Sequence, residues 1–145
     1  MRLTEIQEMW DTDCQLDKSN LDIDSLNLAK LHQKYYKILL NEKSLYRLAE
    51  VELKKKYLEK YEYYLNGPSA DDARKNPDKV IRRKVIKSDI EMYLNADLDL
   101  IAIKLKLDQQ KDKLIYLEDI LKMIANRGFA IKNAIDWQKF MNAVT

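Results

Sequence analysis

The chain has 145 residues, 46% of them hydrophobic, with a net charge of +2, two glycines, two prolines, one cysteine and one histidine. That length suits one domain with a sizeable core, the scarcity of turn residues points to few, long helices, and a lone Cys14 beside a lone His32 excludes an internal disulfide and a cysteine-histidine zinc site. The charge is unevenly placed: residues 1–42 hold 5 basic and 8 acidic groups, 43–87 hold 13 and 7, and 88–145 hold 8 and 9, so the middle of the chain is the basic face.

Leu3, Ile6, Met9 and Trp10 recur at helical spacing, which predicts a short amphipathic helix over 2–10 that ends at Asp11-Thr12-Asp13. Acids and polar residues interrupt the apolar ones here, so no export signal is read, and no run approaches the ~20 apolar residues that cross a bilayer. Even Leu98 to Leu107 is broken by Asp99, Lys104 and Lys106. The expectation is a soluble, intracellular protein with no membrane partner.

Residues 14–23 show no period, and Asp22, Asp24 or Ser25 could cap a helix beginning there. Over 24–65, Leu28, Leu31, Tyr35, Ile38, Leu45, Leu48 or Ala49, Leu58 and Leu65 trace a stripe at spacings of three and four, which predicts one long helix or two in line. Unbroken, it would run about 60 Å and would have to pack on another long helix. Glu42, Lys55 and Glu62 weaken the stripe, so its far end is expected to leave the core.

That far end reads Lys54-Lys55-Lys56-Tyr57-Leu58-Glu59-Lys60-Tyr61-Glu62-Tyr63-Tyr64, the densest interleaving of lysine and aromatic rings in the chain. Lysines neutralise phosphates and tyrosine faces stack on exposed bases, the combination that sequence-tolerant binding of single strands uses. A lysine run on a helix is also what an ordinary solvated face looks like.

Asn66-Gly67-Pro68-Ser69 stops the helix, Gly67 suiting a left-handed cap. Residues 70–79 read as a polar surface loop. In 80–86, Arg82, Arg83 and Lys84 lie between β-branched pairs, which predicts a short extended segment and adds basic candidates for nucleic-acid contact. Asn95 is placed to cap a second long helix, with Asp97 and Asp99 in its first turn. Leu98, Leu100, Ile103, Leu105 and Leu107 have a period nearer two, but Leu114, Leu117, Ile120, Leu121 and Ile124 are helical. With no breaker, a single helix over 96–125 is read as partner of the first, ended by Arg127-Gly128. Residues 129–143 read as a terminal amphipathic helix whose Phe129, Ile131, Ile135, Trp137, Phe140 and Met141 either fold back on the core or bury themselves against copies of the chain, an oligomer being the reading preferred.

Catalytic chemistry finds no foothold. His32 reads as a structural or surface residue, Cys14 lies among acids that disfavour its thiolate, and Gly67 and Gly128 are too far apart to make a phosphate loop. The acid pairs Asp71-Asp72, Asp97/Asp99 and Glu118-Asp119 read as solvated or capping groups. The reading is a non-enzymatic protein with no cofactor and no metal site.

Three pieces, in order along nearly the whole chain, carry a family resemblance: Met1-Arg2-Leu3, Glu62-Tyr63-Tyr64 and, most specifically, Arg127-Gly128-Phe129-Ala130-Ile131-Lys132, with Asn95-Ala96-Asp97 at the second long helix. They resemble the UvsY family of recombination mediators of large tailed phages. The resemblance implies a helical protein forming a ring of roughly six or seven subunits through its carboxy-terminal region. It also implies binding of single-stranded DNA, contact with the phage single-strand-binding protein, and loading of a UvsX-like recombinase in the cytoplasm of the infected host. The family's basic residues precede its acid-Tyr-Tyr motif. Aligned on Glu62-Tyr63-Tyr64, Lys60 falls on the family's arginine and Leu58 on its lysine, leaving Lys54, Lys55 and Lys56 to carry the charge that position 58 lacks.

The expected molecule is thus mainly all-α: a long antiparallel helical hairpin with a short N-terminal helix, a C-terminal amphipathic helix and a short extended segment near 80–86, assembled as an oligomer. It is read as one domain, with a DNA-binding part over 1–94 and an oligomerisation part over 95–145. The nucleic-acid candidates are Lys54, Lys55, Lys56, Tyr57, Lys60, Tyr61, Arg82, Arg83 and Lys84. The competing reading is a structural coiled-coil or scaffold protein with no nucleic-acid role.

Overall fold

The structure, a computed structural model, describes residues 1–67, 74–75 and 85–144, which form helices and connecting turns with no strand among them. The elements are α1 (Leu3–Asp13), α2 (Leu21–Leu26), α3 (Leu28–Asn66), a 3-10 turn (Lys87–Asp89), α4 (Ile90–Ala96) and α5 (Leu98–Val144). The expected extended segment lies largely outside the described residues; of its described end, Ile86 is extended (φ −67°, ψ 139°). No helix is long and apolar enough to cross a membrane among the described residues. The chain divides into two compact units, one built from Met1–Ser44 and Lys111–Thr145, the other from Leu45–Gln110.

In the first unit, α1 packs on α3 and α5. Glu5 starts α1 by accepting from the Arg2 backbone N–H at 2.9 Å and from its guanidinium at 3.0 Å. Ile6 and Trp10, four residues apart, then enter a core with Tyr35, Leu39, Leu117, Ile120 and Ile124. The Trp10 and Tyr35 rings meet edge to face at 5.4 Å. Glu42 is 1% exposed inside this unit, held by Lys113 at 3.2 Å and the Met1 ammonium at 3.3 Å. Its place on the apolar stripe of α3 is tolerated because the carboxylate is paired, as a buried charge must be. Glu42–Lys113, Lys43–Glu118 and the approach of Gly128 to Leu28 show α3 and α5 running antiparallel here.

Two boundaries differ from expectation, the end of α1 and the course of the last helix through Gly128. α1 runs to Asp13, and the Arg127 guanidinium donates to the Asp13 carbonyl at 2.6 Å and the Gln15 carbonyl at 2.7 Å. A cation here satisfies carbonyls at the negative end of α1. Of the two readings of the first long stripe, the structure has two helices in line, α2 and α3, divided at Asn27 (φ −89°, ψ −2°). Gly128 does not end a helix: α5 passes through it to Val144, so the second long helix and the terminal helix are one element. Only Gly67 has a positive φ, +80°, among the described residues. Gly128 sits where its absent Cβ would lie 3.8 Å from Leu28 Cδ1.

In the second unit, Ile90 and Leu94 of α4 and Leu100 of α5 form a core against Leu53, Tyr61, Tyr64, Leu65 and Val85. Gly67 closes α3 as the sequence requires, its N–H bonding the Tyr63 carbonyl at 2.9 Å. The cap of α5 is Asp97, two residues beyond the expected Asn95: Asp97 is extended (ψ 123°) and its Oδ1 accepts from the Leu100 N–H at 3.0 Å. The leucine alternation over 98–107 resolves as helix, with Leu100 buried and Leu98, Ile101 and Leu105 exposed. Apolar residues occupy both sides of α5, which is why they mimic a period of two.

Candidate nucleic-acid interface

Successive helical residues turn by about 100°, so three consecutive lysines cannot share one face. The structure separates them accordingly. Lys54 and Lys55 are exposed, while Lys56 is partly covered and reaches Glu59 at 3.3 Å. Leu53, Tyr61, Tyr64 and Leu65 face the core of this unit, so the far end of α3 does not leave the core as expected; only its outer side does.

Lys60 lies between the two sides, and α5 decides its environment. Its ammonium is 2.7 Å from Asp99 and 3.4 Å from Asp97, with the side chain only 18% exposed. Burial opposes its charge, but the Asp99 hydrogen bond and the Asp97 charge outweigh burial and raise its pKa. Burial likewise pushes the Asp97 carboxyl up, yet the Tyr64 hydroxyl at 2.6 Å, the Leu100 N–H and Lys60 together hold it below the ordinary carboxylate range. The Tyr64 hydroxyl is raised, first by burial and then by Asp97. The ammonium and the two carboxylates are charged, the Tyr64 hydroxyl is a neutral donor, and together they lock α3 to the start of α5. The positive charge of Lys60 is largely spent inside the protein.

The remaining nucleic-acid candidates divide in the same way. Tyr57 is exposed, Tyr61 is packed on the core, and Tyr63 is partly buried with the Lys60 ammonium 5.6 Å from its ring centroid. Arg82, Arg83 and Lys84 lie outside the described residues. Two residues join the site that the sequence pattern does not single out. Arg47, seven residues before Lys54, is exposed on the same side of α3, with Val51 and Leu58 between and beyond them. None of Arg47, Lys54 and Lys55 is in an ion pair among the described residues. The spacing 47, 51, 54, 58 is a helical signal that an eye drawn to the contiguous lysines misses. The second is Tyr93 of α4, exposed beside Tyr64 with ring centroids 5.7 Å apart.

The carboxy-terminal candidates also separate. Phe129 is 69%, Trp137 62% and Phe140 58% exposed, and Met141 is exposed; Ile131, at 2%, belongs to the interior of its own unit, and Ile135 is partly buried. Trp137 and Phe140 stack at 5.7 Å and, with Asn133 and Asp136, line a shallow groove. Among the described residues no cluster of His, Cys, Asp and Glu is arranged to hold a metal ion.

An interface of exposed cations on a rigid helix, backed by tyrosines, suits a polyanion with exposed rings. Comparison with known proteins points the same way. The model of one family, described as "Recombination, repair and ssDNA binding protein UvsY", matches residues 9–144. The chain is similar to "Recombination protein uvsY" of Enterobacteria phage T4, 28% identical over 144 residues that cover 97% of each chain. It is also similar to crystal structures of the bacteriophage T4 recombination mediator protein UvsY. One superposes with a TM-score of 0.78 at 25% identity, covering 98% of both chains, and another with 0.78 at 23%, covering 97% of this chain and 99% of that one.

Proposed function

The chain belongs to the UvsY family of recombination, repair and single-stranded-DNA-binding proteins, and from that premise we propose that it is a recombination mediator. It binds single strands without sequence preference and loads a UvsX-like recombinase onto DNA covered by the phage single-strand-binding protein, in the cytoplasm of the infected host. It performs no covalent chemistry. The observation that carries this reading is the family match over residues 9–144.

In this reading Arg47, Lys54 and Lys55 neutralise phosphates, because they are exposed and unpaired among the described residues. Lys60 is a positioning residue that holds α3 against Asp97 and Asp99. One subunit offers few phosphate contacts. A ring of subunits joined through Phe129, Trp137, Phe140 and Met141 repeats them, and tethered weak sites bind collectively far more tightly.

The test is strand exchange by the cognate recombinase on DNA pre-coated with single-strand-binding protein. Adding this protein is expected to shorten the lag before exchange, and the Lys54→Ala/Lys55→Ala variant to restore the lag. A lag that the wild-type protein leaves unchanged contradicts the mediator role.

A further inference from the structure

Tyr64 is the centre of a chain of three rings in the second unit. Tyr63 meets it edge to face at 5.3 Å and 78°, and Tyr93 meets it tilted at 5.7 Å and 42°. Tyr64 is fixed twice over, by packing on Ile90, Leu94 and Leu100 and by the 2.6 Å bond from its hydroxyl to Asp97. Tyr93 is fixed through its neighbours: Ile90 and Leu94 of the same short helix are each 1% exposed. Yet Tyr93 itself is 42% exposed, next to Met92, which points outward too.

A singly exposed ring is ordinary. Tyr93 differs in being held from behind by a ring that is itself locked. An unpaired base gains most from an aromatic face already in place, because little side-chain freedom is lost on contact. Every base has a π-face, so such contact tolerates any sequence. We propose that Tyr93, braced by Tyr64, is a stacking platform for an unpaired base of single-stranded nucleic acid. The inference rests on the functional reading above and adds the residue that takes the base, on an element the Lys/Tyr stretch of α3 does not include. Lys60, close to Tyr63, is already paired with Asp97 and Asp99, so at this end of α3 the ring of Tyr93 offers a contact that Lys60 does not.

The experiment titrates the full-length protein with a fluorescent oligothymidine and with the same strand carrying abasic sites. Tyr93→Ala is expected to weaken binding of the base-bearing strand by about fivefold or more, leave the abasic strand unaffected and keep the salt dependence unchanged. Tyr93→Phe is expected to bind as wild type, since the ring and not the hydroxyl makes the contact. Equal affinity of Tyr93→Ala and wild type for oligothymidine overturns the platform alone, as does an equal loss on both strands. A reduced mass of Tyr93→Ala in sedimentation also overturns it, showing that a second copy of the chain covers the ring. Failure of the wild-type protein to bind either strand overturns the functional reading and the platform together.

Discussion

Lys60 shows how the charge of a basic side chain can be met largely inside its own protein. Its ammonium lies within 3.4 Å of two carboxylates, so Lys60→Ala removes a charge partner from the nearly buried Asp97. The expected cost is about 1–2 kcal/mol, seen as a lower urea midpoint. Lys54→Ala and Lys55→Ala, at exposed positions, are expected to stay within about 0.5 kcal/mol of wild type. This network and the separate one around Asp13 set an acid limit. Asp97 and Asp13 both have folded pKa values below the ordinary range; at Asp13 burial pushes upward, but Lys34, Tyr35 and Arg127 outweigh it. A carboxyl lowered on folding contributes fully above its unfolded pKa, about 3.9, and loses the contribution as pH falls through the folded value. Urea midpoints are therefore expected to change little between about pH 7 and 5 and to drop below about pH 4, with a smaller drop in Asp97→Asn. The two acids of Lys60 could not be assigned from the sequence. Asp97 lies 33 residues beyond Tyr64, and only the return of α5 brings them together.

Elements were legible where burial imposes a period. Leu31, Tyr35 and Ile38 on α3, and Leu117, Ile120 and Ile124 on α5, repeat at three and four because one face of each helix is covered, whereas Leu45, Leu48 and Leu58 of the same stripe are exposed. Gly67 was legible because a left-handed residue there has little competition from other residues. Gly128 misled because a glycine can also lie in the interior of a continuous helix, and Arg127, which reads as part of a stop, instead binds the end of α1. The seven residues of α4 are too few to show a period. The structure makes a distinct prediction at Gly128. An alanine Cβ there meets Leu28 at ordinary contact distance, so Gly128→Ala is expected to raise stability by about 0.5–1 kcal/mol in thermal or urea unfolding. A loss of stability would show that the position needs glycine.

For the molecule as a whole, the proposed assembly and the proposed DNA contact lie on different side chains and can be separated. Trp137→Glu/Phe140→Glu changes two exposed residues, so helical content is expected to persist while sedimentation shows a smaller species. Ile131→Asp places a charge in the interior and is expected to cost helical content, although the sequence alone groups Ile131 with the interface. The central claim is that the free cations of α3 bind single strands. Its most direct measurement is the affinity for a single-stranded oligonucleotide as a function of salt, for wild type and for Lys54→Ala/Lys55→Ala. Wild-type affinity is expected to fall log-linearly with salt, and the variant to bind more weakly with a slope shallower by about 0.7 for each phosphate left unneutralised. Wild-type binding that is absent at low salt, or a variant with unchanged affinity and slope, would contradict the account.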